Sequence, residues 1–472
     1  MGTNGSRGRA GAGRSKASRG ARSRSARYPP LKPGPGLSTE DVAAHQRARL
    51  HEAMVELIAE HGYNAVSVVT LTNRARISKR DFYKLFAGKE ECFLAAYDLI
   101  VSRSVRGILA AAEGGEDWRE RLRLGLLAFA GQITANPDAA RLALVETFAA
   151  GTVAVERMVH TNRLFEALVE KNFALSDGAP RLPRLVVNGI VAGGDRMARA
   201  RLLSGHPTEL ALDGGELLEW ALSFCDKDVH RLRGLGLAGA PPLSASAAEV
   251  PLADERALIL AATARLVSTE GYGTLTVPRV RAAAGVSRRS FDAHFKGVAD
   301  CFRATLEMLS GRILAAAAPP YLTADDWASG VHRMIASLCQ HLACDPTVAS
   351  LVFLEVFSPG REAIRWRAEM IAKLATILRR GASPAQQPSK FAAEASIGAI
   401  WGVIHHFVAI GRGAQLPIAA PALSYLALAP ALGGAAAVDV IVAEIGGDRD
   451  ADLGGAVGGL RVQRQVARPV ST

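Results

Sequence analysis

Cysteine is scarce in this chain, with five among 472 residues and no CxxC pair. That excludes a disulfide scaffold and leaves no zinc-ribbon spacing. Acidic residues are absent from residues 1–36, which carry nine Lys or Arg. Setting that tail aside from the 56 Lys and Arg leaves 47 basic against 45 acidic residues. Most of the formal charge of +11 therefore belongs to one tail, and the folded part must be judged by local patches. No apolar run follows the basic N-terminus, so no secretory signal is expected. The longest uncharged stretch, 415–438, has the length to span a bilayer. It contains Pro417, Pro421, Pro430, Gly433 and Gly434, which would cut a membrane helix into pieces. The expectation is a buried helix pair in a cytoplasmic protein that meets no membrane. No nucleophile–base pair, P-loop or dinucleotide fingerprint is present, and neither an enzyme nor a cofactor is expected.

What is present is length, apolar content and a repeat. At 49.7 kDa and 49% hydrophobic residues, the chain is too long for one core and suits two or three domains. Sliding the sequence by 209 residues places Gly62-Tyr63 on Gly271-Tyr272 and Cys92-Phe93 on Cys301-Phe302. Across those 32 positions 11 are identical, including Ser78 with Ser287, Arg80 with Arg289, and Phe82 and Phe86 with Phe291 and Phe295. Chance would give about two, so one unit of roughly 200 residues occurs twice. The offset persists at Asp117-Trp118, Pro137, Glu146, Gly189 and Gly193, which meet Asp326-Trp327, Pro346, Glu355, Gly398 and Gly402. Apolar residues recur at helical spacing (Leu50, Met54, Leu57, Ile58), and no period-2 run bounded by turn residues is found. Both units are read as all-α.

The informative segment is 67–93, SVVTLTNRARISKRDFYKLFAGKEECF, with its partner 276–302. Ser67 or Thr276 is suited to cap a short helix, and Ser78 or Ser287 a second one after a tight turn. Two short helices joined by such a turn, behind a longer helix, are the sequence form of a helix-turn-helix. The exposed face of the second helix is basic: Lys79, Arg80 and Lys84 in the first copy, Arg288, Arg289 and His294 in the second. Side chains of this kind pair with guanine edges or phosphates, which points to double-stranded DNA.

With AAGVSRRSF and HFKG in one copy and ISKRDFYKLFAGKEECF in the other, the pattern resembles the TetR family of bacterial one-component transcriptional regulators. The resemblance implies paired heads on successive major grooves, released or retained by a small-molecule effector, and it places Tyr83 and Lys89 on phosphates. The reading is of a repressor. Two fused copies imply a single-chain pseudo-dimer, although a second chain could also be the partner. The departures have consequences. Arg76 stands where the turn usually holds glycine, and a positive φ there costs about 1 kcal/mol. Asp292 replaces the tyrosine and Val298 the lysine, so the second head should hold DNA more weakly, with Arg279, Arg281 and Lys296 compensating in part. Because the two reading helices differ, the operator is expected to be asymmetric. An alternative is a small-molecule sensor or protein-interaction module in which only the first head binds DNA.

The expected organisation is a disordered basic tail (1–37), a first helix-turn-helix head (38–88) and a helical effector and dimerisation domain (89–225). A linker (226–251) follows, then a second, partly degenerate head (252–297), a second effector domain (298–445) and a loose C-terminal tail (446–472). The tail at 1–37 reads as a solubility segment, a phosphate-binding arm or residues ahead of the true start. Cys339, His341 and Cys344 are poorly spaced for a metal, since positions five apart on a helix diverge by about 140°. His405-His406 read as packed or ligand-contacting. Glu146 and Glu355, in apolar helices, either hold neighbouring helices by hydrogen bonds or line an effector pocket. Gly-containing apolar helices near 184–204 with 213–225, and 389–411 with 420–432, suit a four-helix interface.

Overall fold

Ser38 opens the first helix by reciprocal capping: its hydroxyl accepts from the Asp41 backbone N–H at 3.0 Å, and the Asp41 carboxylate accepts from the Ser38 N–H in return. The helix, Thr39–His61 (α1), stops at Gly62, whose φ of 80° turns the chain away. The computed structural model describes residues 38–174, 178–212, 214–235, 254–357 and 361–446. The basic tail, the C-terminal segment from 447 and the expected linker from 236 onward lie outside the described residues.

After α1 come Val68–Ala75 (α2), Lys79–Leu85 (α3) and Lys89–Ala112 (α4). The body of the first unit is Trp118–Ala135 (α5), Pro137–Leu144 (α6), Thr152–Ala174 (α7), Arg184–Ser204 (α8), Glu209–Leu212 (α9) and Gly214–Leu222 (α10). The second unit repeats the order: Glu255–Glu270 (α11), Val277–Ala284 (α12), Arg288–His294 (α13) and Val298–Ala317 (α14). It continues with a short turn Pro319–Leu322 (α15), then Trp327–Cys344 (α16), Pro346–Phe353 (α17), Arg361–Gly381 (α18), Lys390–Ala409 (α19) and Leu416–Leu432 (α20). Further helical residues occupy 434–446, and no strand occurs among the described residues. The chain is all-α and built of two tandem units. Aspartates cap matching helices, Asp117 before α5 and Asp326 before α16, and prolines open α6 and α17.

Two expectations need correction. The prolines do not cut 415–438 at Pro421: α20 runs through Pro421 and Pro430 to Gly433. Pro417 sits in the first turn, where no intrahelical donor is needed, and most of α20 is buried, so tertiary packing outweighs the bonds lost at Pro421 and Pro430. The linker also begins later than 226. Asp226 caps a 3₁₀ turn Lys227–Leu232 whose Val229 and Leu232 are buried, and Arg231 pairs with Asp439 of the second unit at 2.6 Å. The apolar residues of DVHRL outweigh the Gly-rich composition that follows them.

The two bodies meet where α8 runs against α19, flanked by α10 and α20. Four glycines make this close approach possible. A Cβ on Gly189 would overlap Leu426, on Gly193 would overlap Trp220 and the Ala395 carbonyl, on Gly398 Arg196, and on Gly402 Ala192. These are the glycines that the 209-residue offset superposes. Polar closure is supplied by Trp220 Nε1, which donates to Ser396 Oγ at 3.0 Å, and by the Tyr425 hydroxyl, which donates to the Phe224 carbonyl at 3.1 Å. Arg196 crosses the seam to donate to the Ala368 carbonyl at 3.2 Å, and its burial pushes its pKa down to about 10. Two stretches, Lys390–Ala409 and Gly413–Leu432, have the length and composition of membrane spans, and 67% of each span window is buried inside the protein.

Candidate nucleic-acid interface and effector cavity

In the first head the Ser67 hydroxyl accepts from the Thr70 N–H at 3.1 Å while Thr70 Oγ1 accepts from the Ser67 N–H at 2.9 Å, which fixes the start of α2. The helix ends at Arg76, with φ 51° and ψ 49°, the left-handed geometry that the missing glycine implies. Ser78 then caps α3 through the Asp81 N–H at 3.0 Å. Phe82 and Phe86 are buried beneath α3, and Lys79, Arg80, Tyr83 and Lys84 are exposed on its outer side. Lys84 Nζ is 2.7 Å from Asp81 Oδ1, and this ammonium together with the Ser78 hydroxyl holds the Asp81 carboxyl below its usual value. Lys79 and Arg80 make no ion pair or side-chain hydrogen bond among the described residues. They are the free cations of this face.

Lys89 is not brought to that face. Its ammonium lies 4.0 Å from the centre of the Tyr63 ring and donates to the Tyr63 carbonyl at 3.3 Å, and its partial burial lowers its pKa. A network outside the sequence reading braces the head: Arg74 on α2 reaches Glu56 at 3.1 Å and Glu60 at 2.7 Å on α1. The signal was there, as two glutamates four apart on one face of α1.

The second head has the same frame with different electrostatics. Thr276 precedes α12, but its side chain makes no capping bond, which corrects the reading of it as a cap. Pro278 in the first turn has no N–H to offer. Gly285 takes the left-handed position with φ 69°. Ser287 caps α13 through the Ser290 N–H at 3.0 Å. Arg288 Nε lies 3.2 Å from Asp292 Oδ2, one turn along the same exposed face, so the substituted aspartate engages a reading cation. Arg279 is engaged with Glu270 and the Thr274 carbonyl. Arg289, His294 and Lys296 are exposed, without an ion pair among the described residues.

Glu146 and Glu355 do hold elements together. Buried Glu146 Oε2 accepts from the Tyr63 N–H at 2.9 Å, and Glu355 Oε2 from the Tyr272 N–H at 3.4 Å. Each ties its body to the turn that follows the first helix of its head.

Behind the first head lies a cavity of about 840 Å³ among α1, α4, α5, α6, α7 and α8. Its walls include Val55, Tyr97, Ile100, Phe129, Phe165 and Ile190, so the space suits a mainly apolar molecule. Ala48, His51, Glu52, Val55 and Glu56 come from α1, so the head itself supplies one wall. His51 joins the two: it lines the cavity, its ring is 5.9 Å from that of Phe86, and its buried Nε2 has no hydrogen-bond partner. Burial, aided by Arg103 and Arg47, pushes its pKa down to about 4, so the imidazole is neutral at pH 7. Sequence reasoning passed over this residue, which is one of three histidines, His45, His51 and His61, in the first helix.

Comparison with known proteins follows these boundaries. The family described as "Bacterial regulatory proteins, tetR family" matches residues 50–96 and 259–305, two windows again 209 residues apart. The HTH-type transcriptional activator FasR of Mycolicibacterium smegmatis is 28% identical over 182 residues, covering 37% of this chain and 81% of that protein. Among solved structures, the fatty acid degradation regulator FadR from Bacillus halodurans is 18% identical, covers 41% of this chain and 97% of its own, and gives a TM-score of 0.34. A TetR-like transcriptional regulator from Rhodococcus sp. RHA1 is 20% identical, over 38% of this chain and 97% of its own, at a TM-score of 0.33. The doubled family match, on the segments that form the two heads, supports a TetR-family transcriptional regulator with two tandem units.

Proposed function

We propose that the chain is a ligand-responsive regulator that binds operator DNA as a single-chain pseudo-dimer, with a mainly apolar small molecule as effector. The observation that carries this reading is the presence of two basic reading helices, α3 and α13, on bodies that meet along α8 and α19. Heads on adjacent major grooves must stand about 34–36 Å apart, so a small rotation of one suffices to break the fit. The cavity supports ligand control: α1 and α4, which flank α3 in sequence, both line it, and an occupant would bias their positions. The reading cations are Lys79, Arg80 and Lys84 on one head and Arg288, Arg289 and His294 on the other, with Ser67, Ser78, Tyr83, Thr276, Ser287 and Lys296 towards the backbone. Lys89 and Arg279 would have to leave their present partners to reach phosphate. The protein acts in the cytoplasm. Occupying a promoter with both heads would block polymerase, which makes repression the working sign; the relative named an activator has the opposite one.

A second reading, DNA binding by the first head alone, is favoured by the Arg288–Asp292 pair, which cancels charge on α13. Selection of bound sequences from a random duplex library, followed by retesting of Arg80→Ala and Arg289→Ala, separates the two. The pseudo-dimer predicts a bipartite, non-palindromic site, with each substitution relaxing one half. Indifference to Arg289→Ala supports the single head. A perfect inverted repeat overturns the asymmetric operator, and failure to select any sequence overturns DNA reading by the chain.

A further inference from the structure

We propose that the chain carries one effector site for its two heads, in the first unit, and that the matching interior of the second unit is filled by its own side chains. This rests on the effector reading above and refines it. Helices α5, α6 and α7 start 209 residues before α16, α17 and α18, so each cavity residue has an identifiable counterpart.

At several positions near α6 and α8 the counterparts are larger and buried, while others, such as Leu374 for Phe165 and Leu338 for Phe129, are smaller. Gly194 has room for a side chain, since a Cβ would meet only Leu217 at 3.9 Å; its counterpart is the larger Val403, completely buried. Ala143 corresponds to Val352, and Leu144 to Phe353. The Phe353 ring lies 4.5 Å from that of Trp401, which stands where the first unit has Ala192. Polar Asp195 at the cavity wall becomes buried Ile404. These exchanges add side-chain volume at that wall and remove a polar wall group.

The rim differs as well. In the first unit Ala112, Arg121 and Asn172 border the cavity, with Arg121 Nε donating to Asn172 Oδ1 at 3.0 Å. Their counterparts are Tyr321, Gly330 and Gly381. The extra turn α15 carries Tyr321, whose ring lies against Gly330 and whose hydroxyl lies against Gly381; a Cβ on either glycine would collide with it. Trp327 Nε1 donates to the Leu378 carbonyl at 3.2 Å beside it. The aromatic side chain occupies the place of the first unit's polar rim pair, and the second body becomes a solid strut against which the first can move.

The test counts sites. The full chain is titrated with 11-(dansylamino)undecanoic acid, and bound probe per chain is measured by equilibrium dialysis and native mass spectrometry. One molecule per chain is expected. Gly194→Leu and Gly125→Leu, both filling the first cavity, should each weaken it by about ten-fold or more, with far-UV circular dichroism reporting that the helices persist. An apolar aryl diazirine added with and without the probe gives a readout independent of any variant: the probe should protect peptides within 96–172. Two molecules per chain, one molecule indifferent to both substitutions, or protection within 305–381 would overturn the single-site proposal while leaving ligand response intact. No bound probe and no protection would remove the effector reading itself.

Discussion

The Glu146 carboxylate accepts a hydrogen bond from the backbone N–H of Tyr63, 83 residues earlier, at 2.9 Å in a buried setting. Its counterpart in the second unit spans the same separation at 3.4 Å. A buried acceptor of this kind contributes about 1.5–3 kcal/mol, because its removal leaves the donor dry and unpaired. Glu146→Ala should therefore lower the thermal transition more than Glu355→Ala does, as followed by circular dichroism. Equal shifts would contradict the geometric ranking.

Arg76 and Gly285 occupy the same left-handed position in the two heads. Arg76→Gly should raise stability by about 1 kcal/mol, and Gly285→Ala should lower it by a similar amount. Opposite signs in urea unfolding are the expected outcome.

Asp292 lies beside Arg288 on the face of the second reading helix. Asp292→Asn removes a repulsive charge and frees a cation, so duplex binding should tighten several-fold and the salt dependence should steepen by roughly one phosphate contact. Fluorescence anisotropy across a salt series measures both.

Burial holds the folded-state pKa of His51 and of His332 down to about 4, against an ordinary value of 6.5. Unfolded chains take up these protons first as pH falls, so stability is complete above about pH 6.5 and drains between there and pH 4. The thermal transition should fall by at least about 5 °C between pH 7.5 and 5. His332→Gln should flatten part of that slope, since its ring partner Ser424, at 2.9 Å, can still be hydrogen-bonded without a titrating group.

Gly193 faces Trp220 and the Ala395 carbonyl with no room for a side chain. Gly193→Leu should force α8 from α19 and destabilise the chain by about 1–3 kcal/mol or more. Limited proteolysis of 236–253 would accelerate if the bodies separate.

What could be read beforehand was local. Capping at Ser67, Ser78 and Ser287, the phenylalanine pairs beneath α3 and α13, and the strained turn at Arg76 all follow from neighbours a few residues away. Glu146 and Glu355 stood out because a carboxylate in an apolar helix needs a partner. The inward turn of Lys89 over Tyr63 and the capture of Arg279 by Glu270 depend on where other helices bring their groups. So does the survival of α20 through Pro421, and periodicity carries none of this. The cavity is likewise a matter of side-chain volumes summed over six helices.

The α8–α19 seam is formed within one polypeptide. Association of its halves is governed by tether length, and dilution cannot separate them as it would two free subunits. A cell holding only a few copies would still deliver both heads together. The two unequal heads are encoded in fixed one-to-one proportion.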